Sequence, residues 1–524
     1  MCDEFDGSTD LGVEVSYAAC VKRRRLSVRS VVRLSVVPML FWLSLLAWAL
    51  SSPVGSSPDD DFHLSSIWCG LGDRQGLCEP SGDPTSRLVP AQIADKPCFA
   101  FEPRTPASCV RHVDAGLSEA VWMNADGSYP RLFYAAMATV ASDDVGVSVV
   151  AMRALNALLG VVLLVAAFWL LPTSLRPALV LSVTATLVPF GLFLMPSTNP
   201  SSWAYLSGAL VLLCLYGSMK SEGRRRAALG AMAWLAAVLG AGARADSAVF
   251  TVFALFLAWL LAGRSVRRPI GPLLTSAVIL LCVVALFLSA GQAGSASSGL
   301  ANDDPALTTA QHVANLIFIP VIMWGGILGW GRLGTLGWLD TPLPGVVPMF
   351  TIAAVMVVLG HGLRGAGRRR MMAFVLVVIA LWVIPFVLLA QTHAILGSHV
   401  QSRYMLPLFV MAVAIATVGV PASRWTGWMS WFVAGAVAIA GSFALHANLR
   451  RYTAGVGPFS LDPGGDSRWW WDSTPSPLAV WLIGTVAFAL ALVVLVVQLR
   501  RVAGTSTGTT VEGPGKAPVA RSVV

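Results

Sequence analysis

The sequence predicts an all-α integral membrane protein of about twelve transmembrane helices. Charge is scarce, apolar runs of spanning length recur, and basic residues collect in alternate loops. Of 524 residues, 56% are hydrophobic and 12% charged, where a soluble globular chain carries about 25% charged residues. A hydrocarbon core of about 30 Å requires roughly 20 mostly apolar residues per helix. Runs of that kind lie near 34–51, 149–171, 177–195, 201–218, 227–243, 246–262, 270–290, 346–364, 371–390, 404–420, 428–446 and 478–499.

An N-terminus inside puts Lys22, Arg23, Arg24, Arg25, Arg29 and Arg33 in the cytoplasm, followed by Arg176, Lys220, Arg224, Arg225, Arg226, Arg264, Arg267 and Arg268. Arg364, Arg368, Arg369, Arg370, Arg424, Arg500, Arg501, Lys516 and Arg521 follow on the same side. These are 23 of the 36 basic residues, concentrated in short loops, where the positive-inside bias is strongest. Topology therefore accounts for the net charge of +9 without a nucleic-acid partner. The same assignment places 20 of the 27 acidic residues outside, and both termini in the cytoplasm.

Residues 1–30 read as a polar, disordered leader and 503–524 as a Gly/Ser/Thr/Pro-rich tail of the same kind, flanking a membrane domain at 31–502. The basic stretch before the first run also suits a cleavable signal peptide, but the long leader and long run favour an anchor. Spans one and two enclose the largest polar segment, 52–148, with Cys69, Cys78, Cys98 and Cys109. An even number of cysteines in an exported loop reads as two disulfides. Of the three possible pairings, the local one, Cys69 with Cys78 and Cys98 with Cys109, is expected. Zinc is the rival, but eight and ten intervening residues do not fit CxxC pairs. Cys2, Cys20, Cys214 and Cys282 read as inert thiols.

A second outer region, 291–345, contains Asn302, Asp303 and Asp304. Within it 313–330 is long enough to span, yet a full crossing would carry Arg364 and Arg368–Arg370 outside. It is therefore read as a re-entrant or interfacial helix. The last outer loop, 447–477, holds Arg450, Arg451, Asp466 and the run Trp469-Trp470-Trp471-Asp472. The tryptophans read first as interfacial anchors, with a sugar-stacking platform as the alternative.

Five polar clusters interrupt the apolar pattern, at 57–63, 197–202, 244–246, 336–344 and 399–407, and the topology puts all five outside. The adjacent carboxylates of Asp59, Asp60 and Asp61 repel, which raises one pKa unless a cation or donor is near. Such a group suits a general base, or a divalent cation held through Asp59 and Asp60; a solvated acidic turn is the plain alternative. His63 follows. Arg244 and Asp246 lie between two spans with almost no loop, where charge marks a pathway, a structural pair or a ligand site. Arg403 beside Gln401 and Tyr404 offers a planar fork for phosphate oxygens; a snorkelling side chain is the alternative. Asn199-Pro200 opens a span with free backbone N–H groups, suited to an anion or to plain capping. Pro342 and Pro344 keep the stretch with Trp338 and Asp340 from being helix or strand.

The stretches Pro-Asp-Asp-Asp-Phe-His (58–63), Asn-Pro-Ser (199–201), Leu-Gly-Trp-Leu-Asp-Thr-Pro-Leu-Pro (336–344) and Gln-Ser-Arg-Tyr-Met-Leu-Pro (401–407) together resemble the bacterial membrane proteins grouped as domain of unknown function 2142. The resemblance covers about 35–500. That family commonly reads Pro-Asp-Glu-Pro-His-Phe at the first stretch, so Asp59 and Asp60 match its acidic pair, while His63 and Phe62 are exchanged in order. It commonly reads Gln-Gly-Arg-Tyr-x-x-Pro at the last. There Ser402 replaces Gly, and Gln401, Arg403, Tyr404 and Pro407 agree.

The family is similar to the GT-C glycosyltransferases, in which an acidic motif of the first outer loop is catalytic. The resemblance implies a GT-C-like fold in a bacterial cytoplasmic membrane. It also implies transfer of sugar from a polyprenyl-phosphate donor to a glycan, lipid or protein acceptor of the cell envelope. Asp59 or Asp60 is then the base, Arg403 with Arg244 faces the leaving phosphate, and His63, Asn199, Asp246, Trp338, Asp340, Gln401 and Tyr404 are candidate substrate contacts. Two other readings compete. A transporter or flippase of a lipid-linked or polar solute would line a path to both faces, and an envelope assembly protein would use the cystine-bearing loop without catalysis.

Overall fold

The structure is a computed structural model that describes residues 28–110, 116–266, 268–291, 294, 299–300, 305–425, 427–465, 469–471 and 474–507. Most of the expected leader and tail, with Cys2 and Cys20, and Asn302, Asp303, Asp304, Asp466 and Asp472, lie outside the described residues.

All twelve expected runs are helical, as lipid demands of backbone groups that can pair only within their own segment. In chain order the helices are α1 (Val28–Leu50), α2 (Asp60–Trp68), α3 (Ala91–Ala94), α4 (Arg131–Ala138), α5 (Val145–Leu170) and α6 (Arg176–Leu194). There follow α7 (Ser201–Met219), α8 (Gly223–Ala243), α9 (Ala245–Ala262), α10 (Ile270–Leu288) and α11 (Thr309–Ile319). The last are α12 (Val346–Gly362), α13 (Arg368–Gln391), α14 (Leu406–Thr417), α15 (Trp428–Ala454) and α16 (Pro477–Thr507). Among the described residues, 10 helical segments are long and apolar enough to cross a membrane, and Ser35–Leu50, Val346–Gly362 and Ser402–Thr417 are shorter apolar helices. The ten include Thr309–Gly334, so length and composition rank with the spans a segment that the charge pattern predicts to be non-spanning.

Burial sorts the helices into an inner and an outer set. The spanning windows of α7 and α6 are 94% and 89% buried, against 17% for α10. Every residue of α14 is buried against α6 and α7, whereas α10 exposes Leu273, Leu274, Val278, Leu281 and Leu288. A continuous exposed apolar face of this kind is suited to lipid, not water. The most extensive helix contact is α7 on α8, whose Gly/Ala-rich face admits it. A Cβ at Gly240 would lie 2.5 Å from the side chain of Ser207.

Between α1 and α5 the polar segment folds on itself. Strands β1 (Glu79–Pro80), β2 (Arg87–Pro90) and β3 (Leu117–Ala120) form an antiparallel sheet in that order, with Glu79 opposite Leu88 and Arg87 opposite Ala120. Phe62, Ile67, Trp68, Val89, Ile93 and Phe133 fill a small core that continues onto Val149 and Met152 of α5. Disulfides join Cys69 to Cys78 and Cys98 to Cys109, the local pairing expected from the sequence.

The short loops at the other end use arginines as caps. Arg225 donates to the carbonyls of Leu170 and Leu171, Arg369 to that of Ala262, and Arg424 to that of Arg364. Helix C-termini leave carbonyls unpaired and carry partial negative charge, which cations satisfy.

Candidate functional site

The site starts from an arginine in an apolar helix. Arg153 of α5, buried, donates to the carbonyls of Ala49, Ser52 and Pro53 and to Ser56 Oγ, the Pro53 bond being 2.8 Å. This ties down the chain as it leaves α1. The next turn is fixed through Asp60, whose carboxylate accepts from Ser57 N–H at 2.9 Å and from Thr198 Oγ1 at 2.8 Å. Asn199 Nδ2 donates to the Pro58 carbonyl at 2.8 Å. Burial pushes the Asp60 carboxyl up to about 6, against the opposing pull of Arg153 and its hydrogen bonds.

Pinned on both sides, Asp59 takes a left-handed conformation, φ 59°, which Asp tolerates better than most residues. It precedes α2, yet its side chain makes no capping hydrogen bond there. Its carboxylate accepts instead from Arg403 Nη2 at 2.9 Å; the Asp59 side chain is 45% exposed and that of Arg403 3%. The triplet is thereby divided: Asp60 supports the turn, Asp59 presents an open carboxylate, and Asp61 accepts from Phe62 N–H. Burial raises Asp61 above the usual carboxylate range.

A second guanidinium stands beside the first. Arg244 grips Asp246 through Nε and Nη2, at 3.1 and 2.8 Å, and reaches Ser201 Oγ at 3.4 Å. The Tyr404 ring is shared between them, 5.0 Å from the Arg244 guanidinium and 5.4 Å from that of Arg403. A small cavity is lined by Ser201, Arg244, Asp246, Arg403 and Tyr404 on its polar side and by Leu194 and Leu406 on its apolar side. Among the described residues, Ser202 Oγ, Ser247 Oγ, Gln401 Oε1, Ser402 Oγ and Arg403 Nε are buried without a hydrogen-bond partner. Unpaired polar atoms are uncommon in a packed interior.

His63 faces inward. Its Nδ1 is 2.9 Å from Tyr134 Oη, its rings of contact are Phe62, Tyr129 and Tyr134, and Nε2 has no partner among the described residues. Burial, with Arg244 and Arg403 nearby, holds its pKa well below the ordinary value, so it is neutral at pH 7.

The cluster 336–344 supports the turn from beneath. Leu336 and Thr341 pair across a bend in which Leu339 is left-handed and a Cβ on Gly337 would lie 2.5 Å from Tyr452 Oη. Trp338 Nε1 donates to the Gly55 carbonyl at 2.9 Å. Asp340 forms a buried ion pair with Arg451 at 2.7 Å. Arg451 also donates to the carbonyls of Phe99, Glu102 and Thr105 in the loop closed by Cys98–Cys109. The tryptophan run packs inward too: Trp471 Nε1 donates to the Leu50 carbonyl, and Trp470 meets Tyr452.

All five polar clusters of the sequence therefore meet at one end of the bundle. Sequence reasoning overlooked Arg153 and the partnership of Arg451. The signal for Arg153 was present, an isolated arginine in an otherwise apolar run. The donor set suits a metal poorly: Asp59 is engaged by Arg403, Asp60 by Thr198 and Ser57, and no group of three His, Cys, Asp or Glu side chains gathers among the described residues.

No curated protein and no solved structure matches the chain. A family model described as predicted membrane protein (DUF2142) matches residues 40–413, which include Asp59, Asn199, Arg244, Asp340 and Arg403. With most of its length matched, this membrane protein belongs to the DUF2142 family.

Proposed function

We propose that this protein is a GT-C-like glycosyltransferase that moves a sugar from a polyprenyl-phosphate donor to a cell-envelope acceptor at the outer face of a bacterial membrane. The observation that carries this reading is the pairing of a half-open carboxylate, Asp59, with a buried guanidinium, Arg403, next to a second guanidinium, Arg244. Asp59 takes the proton of the acceptor hydroxyl as its oxygen bonds to the anomeric carbon. The bond from that carbon to the phosphate oxygen breaks, and its electron pair leaves on the phosphate. Arg403 and Arg244 stand where they can neutralise that charge, and preorganised cations lower such barriers most effectively in a site of low dielectric. The unpaired N–H of Arg403 Nε suits the same anion.

Asp59 fits the base better than Asp60, whose carboxylate is buried and doubly occupied. No step is assigned to a divalent cation. Asn199, Trp338 and Asp340 act in this account by shaping the turn, and His63, Asp246, Gln401 and Tyr404 by lining the site. The gathering of capping arginines at the opposite end supports the orientation with Asp59 outside.

The segment from Thr309 to Gly334 is read as entering and leaving by the Asp59 end. Asn315 donates to the Ala394 carbonyl and accepts from Leu396 N–H, at 3.0 and 2.8 Å. Farther along, Thr351 donates to the Leu328 carbonyl at 2.7 Å. The concentration of polar contacts at one end favours transfer over transport, which needs a path open to both faces in turn.

The test is sugar transfer in proteoliposomes from radiolabelled polyprenyl-phosphate sugars. Asp59→Asn and Arg403→Gln are each expected to lower the rate at least about a hundredfold, while Trp428→Ala, far from the site, retains it. Full activity in both of the first two variants would end the assignment.

A further inference from the structure

A transfer at Asp59 needs room for two substrates around one carboxylate. Arg403, Tyr404 and Arg244 occupy one side. Asp59 leads directly into α2, and two loops of the polar segment, one packed on α2 and one on Trp338, each expose a large aromatic ring.

Trp122, 62% exposed, meets Phe62 edge-on at 5.5 Å, and Phe62 directly follows Asp61. Its loop is fastened to α2, since Asn124 N–H donates to Ser66 Oγ at 2.9 Å. Phe101, 54% exposed, meets Trp338 edge-on at 5.2 Å, and Lys96 Nζ lies 5.3 Å from the centre of its ring. Lys96 is also near enough to Asp61 for their charges to interact. Asp61 is thus linked to both rings, to Trp122 through its neighbour Phe62 and to Phe101 through Lys96.

Phe101 is held in place against its own backbone preference. Its φ is 64°, a left-handed conformation that is unfavourable for a bulky residue and persists only where the surroundings over-determine it. The surroundings here are the Cys98–Cys109 disulfide and Arg451, which binds the carbonyls on either side, of Phe99 and Glu102. A cystine and a buried ion pair that fix a solvent-facing ring indicate that the ring meets something.

The local charge says what. Asp61 next to Phe62 and Glu102 next to Phe101 stand against Lys96, which lies over the Phe101 ring. An anionic lipid surface attracts basic segments, not acidic ones. A neutral carbohydrate has no such conflict: its C–H faces stack on aromatic rings, which give large rigid contact areas, and its hydroxyls bond to carboxylate and ammonium groups.

The geometry points to Phe101 and Trp122 as the aromatic contacts of an acceptor subsite for a neutral glycan chain, which lies along Asp61 and brings one hydroxyl to Asp59. The inference rests on the transferase reading and commits it to a glycan acceptor.

The experiment is saturation-transfer NMR on the full-length protein in nanodiscs, with neutral oligosaccharides of three to six hexose or pentose units as probes. The wild type is expected to transfer saturation to sugar C–H protons. Trp122→Ala and Phe101→Ala should each weaken binding about tenfold, Trp122→Tyr and Phe101→Tyr should restore most of it, and Trp428→Ala at the far end should change nothing. Unchanged thermal unfolding of the alanine variants separates lost contact from lost fold.

The subsite is overturned if the wild type binds none of the probes, or if the folded alanine variants bind as the wild type does. It is equally overturned if a fluorophore at Trp122→Cys is quenched by spin-labelled lipid, which would make the ring a membrane anchor. The transferase reading fails separately: glycan binding that depends on both rings, with no transfer from any polyprenyl-phosphate sugar, would leave the subsite standing without the enzyme.

Discussion

Replacement of Arg451 by methionine keeps the apolar stem of the side chain and removes the guanidinium. The buried Asp340 carboxylate then loses its partner at 2.7 Å, and the carbonyls of Phe99, Glu102 and Thr105 lose their donor. Removal of one member of a buried ion pair costs about 3–5 kcal/mol, well above the roughly 1 kcal/mol of an average substitution. Asp340→Asn is milder, about 1–3 kcal/mol, because Arg451 still reaches four carbonyls. The double variant should cost less than the sum of the singles by at least about 1 kcal/mol, since the second change removes a charge the first had stranded. Thermal unfolding in nanodiscs measures the series, and limited proteolysis locates the damage in the loop between Cys98 and Cys109. If Arg451→Met unfolds with the wild type, or the two changes are additive, Arg451 and Asp340 do not clamp the loop as described.

The pH response of Asp60 has a definite sign. Its carboxyl, at about 6 when folded against 3.8 when free, holds its proton more tightly in the folded state. Stability should therefore fall as pH rises from about 4 to about 6, by roughly 3 kcal/mol, and level off above. Unfolding of Asp60→Asn over that range should lack this component, and an unchanged profile would show that Asp60 does not titrate there. Arg153→Lys cannot reproduce the fork to three carbonyls and Ser56. It is expected to lower both unfolding temperature and transfer rate, and wild-type values for both would remove Arg153 from the support of the Asp59 turn. Cysteines at Ala310 and Arg332 should both react with an impermeant maleimide from the Asp59 side, measured against the unsubstituted chain; labelling from opposite sides would make Thr309–Gly334 a full crossing.

The helices were legible because lipid leaves a spanning segment no partner for its backbone but itself, so apolar length alone marks α5, α10 or α13. The disulfides followed from local spacing, and the five polar clusters from their contrast with apolar flanks. Legibility ended where an outcome depends on distant partners. Three adjacent aspartates look alike in sequence, and only Thr198, Arg153 and Arg403 make one a buried support and another an open carboxylate. The same holds for Asp340, which reads as a substrate contact until Arg451 is seen against it, and for the tryptophan run, whose rings are taken up by Leu50 and Tyr452. The boundaries of α1 were displaced because a helix continues through polar residues once begun: it starts at Val28, before its apolar run.

The most direct measurement is the position of phosphate in a structure of the full chain with polyprenyl phosphate. Phosphate oxygens are expected within about 3 Å of Arg403 and Arg244 beside Tyr404, with the Asp59 carboxylate released from Arg403. Phosphate held instead at the opposite end near Lys220, with Arg403 still on Asp59, would contradict it.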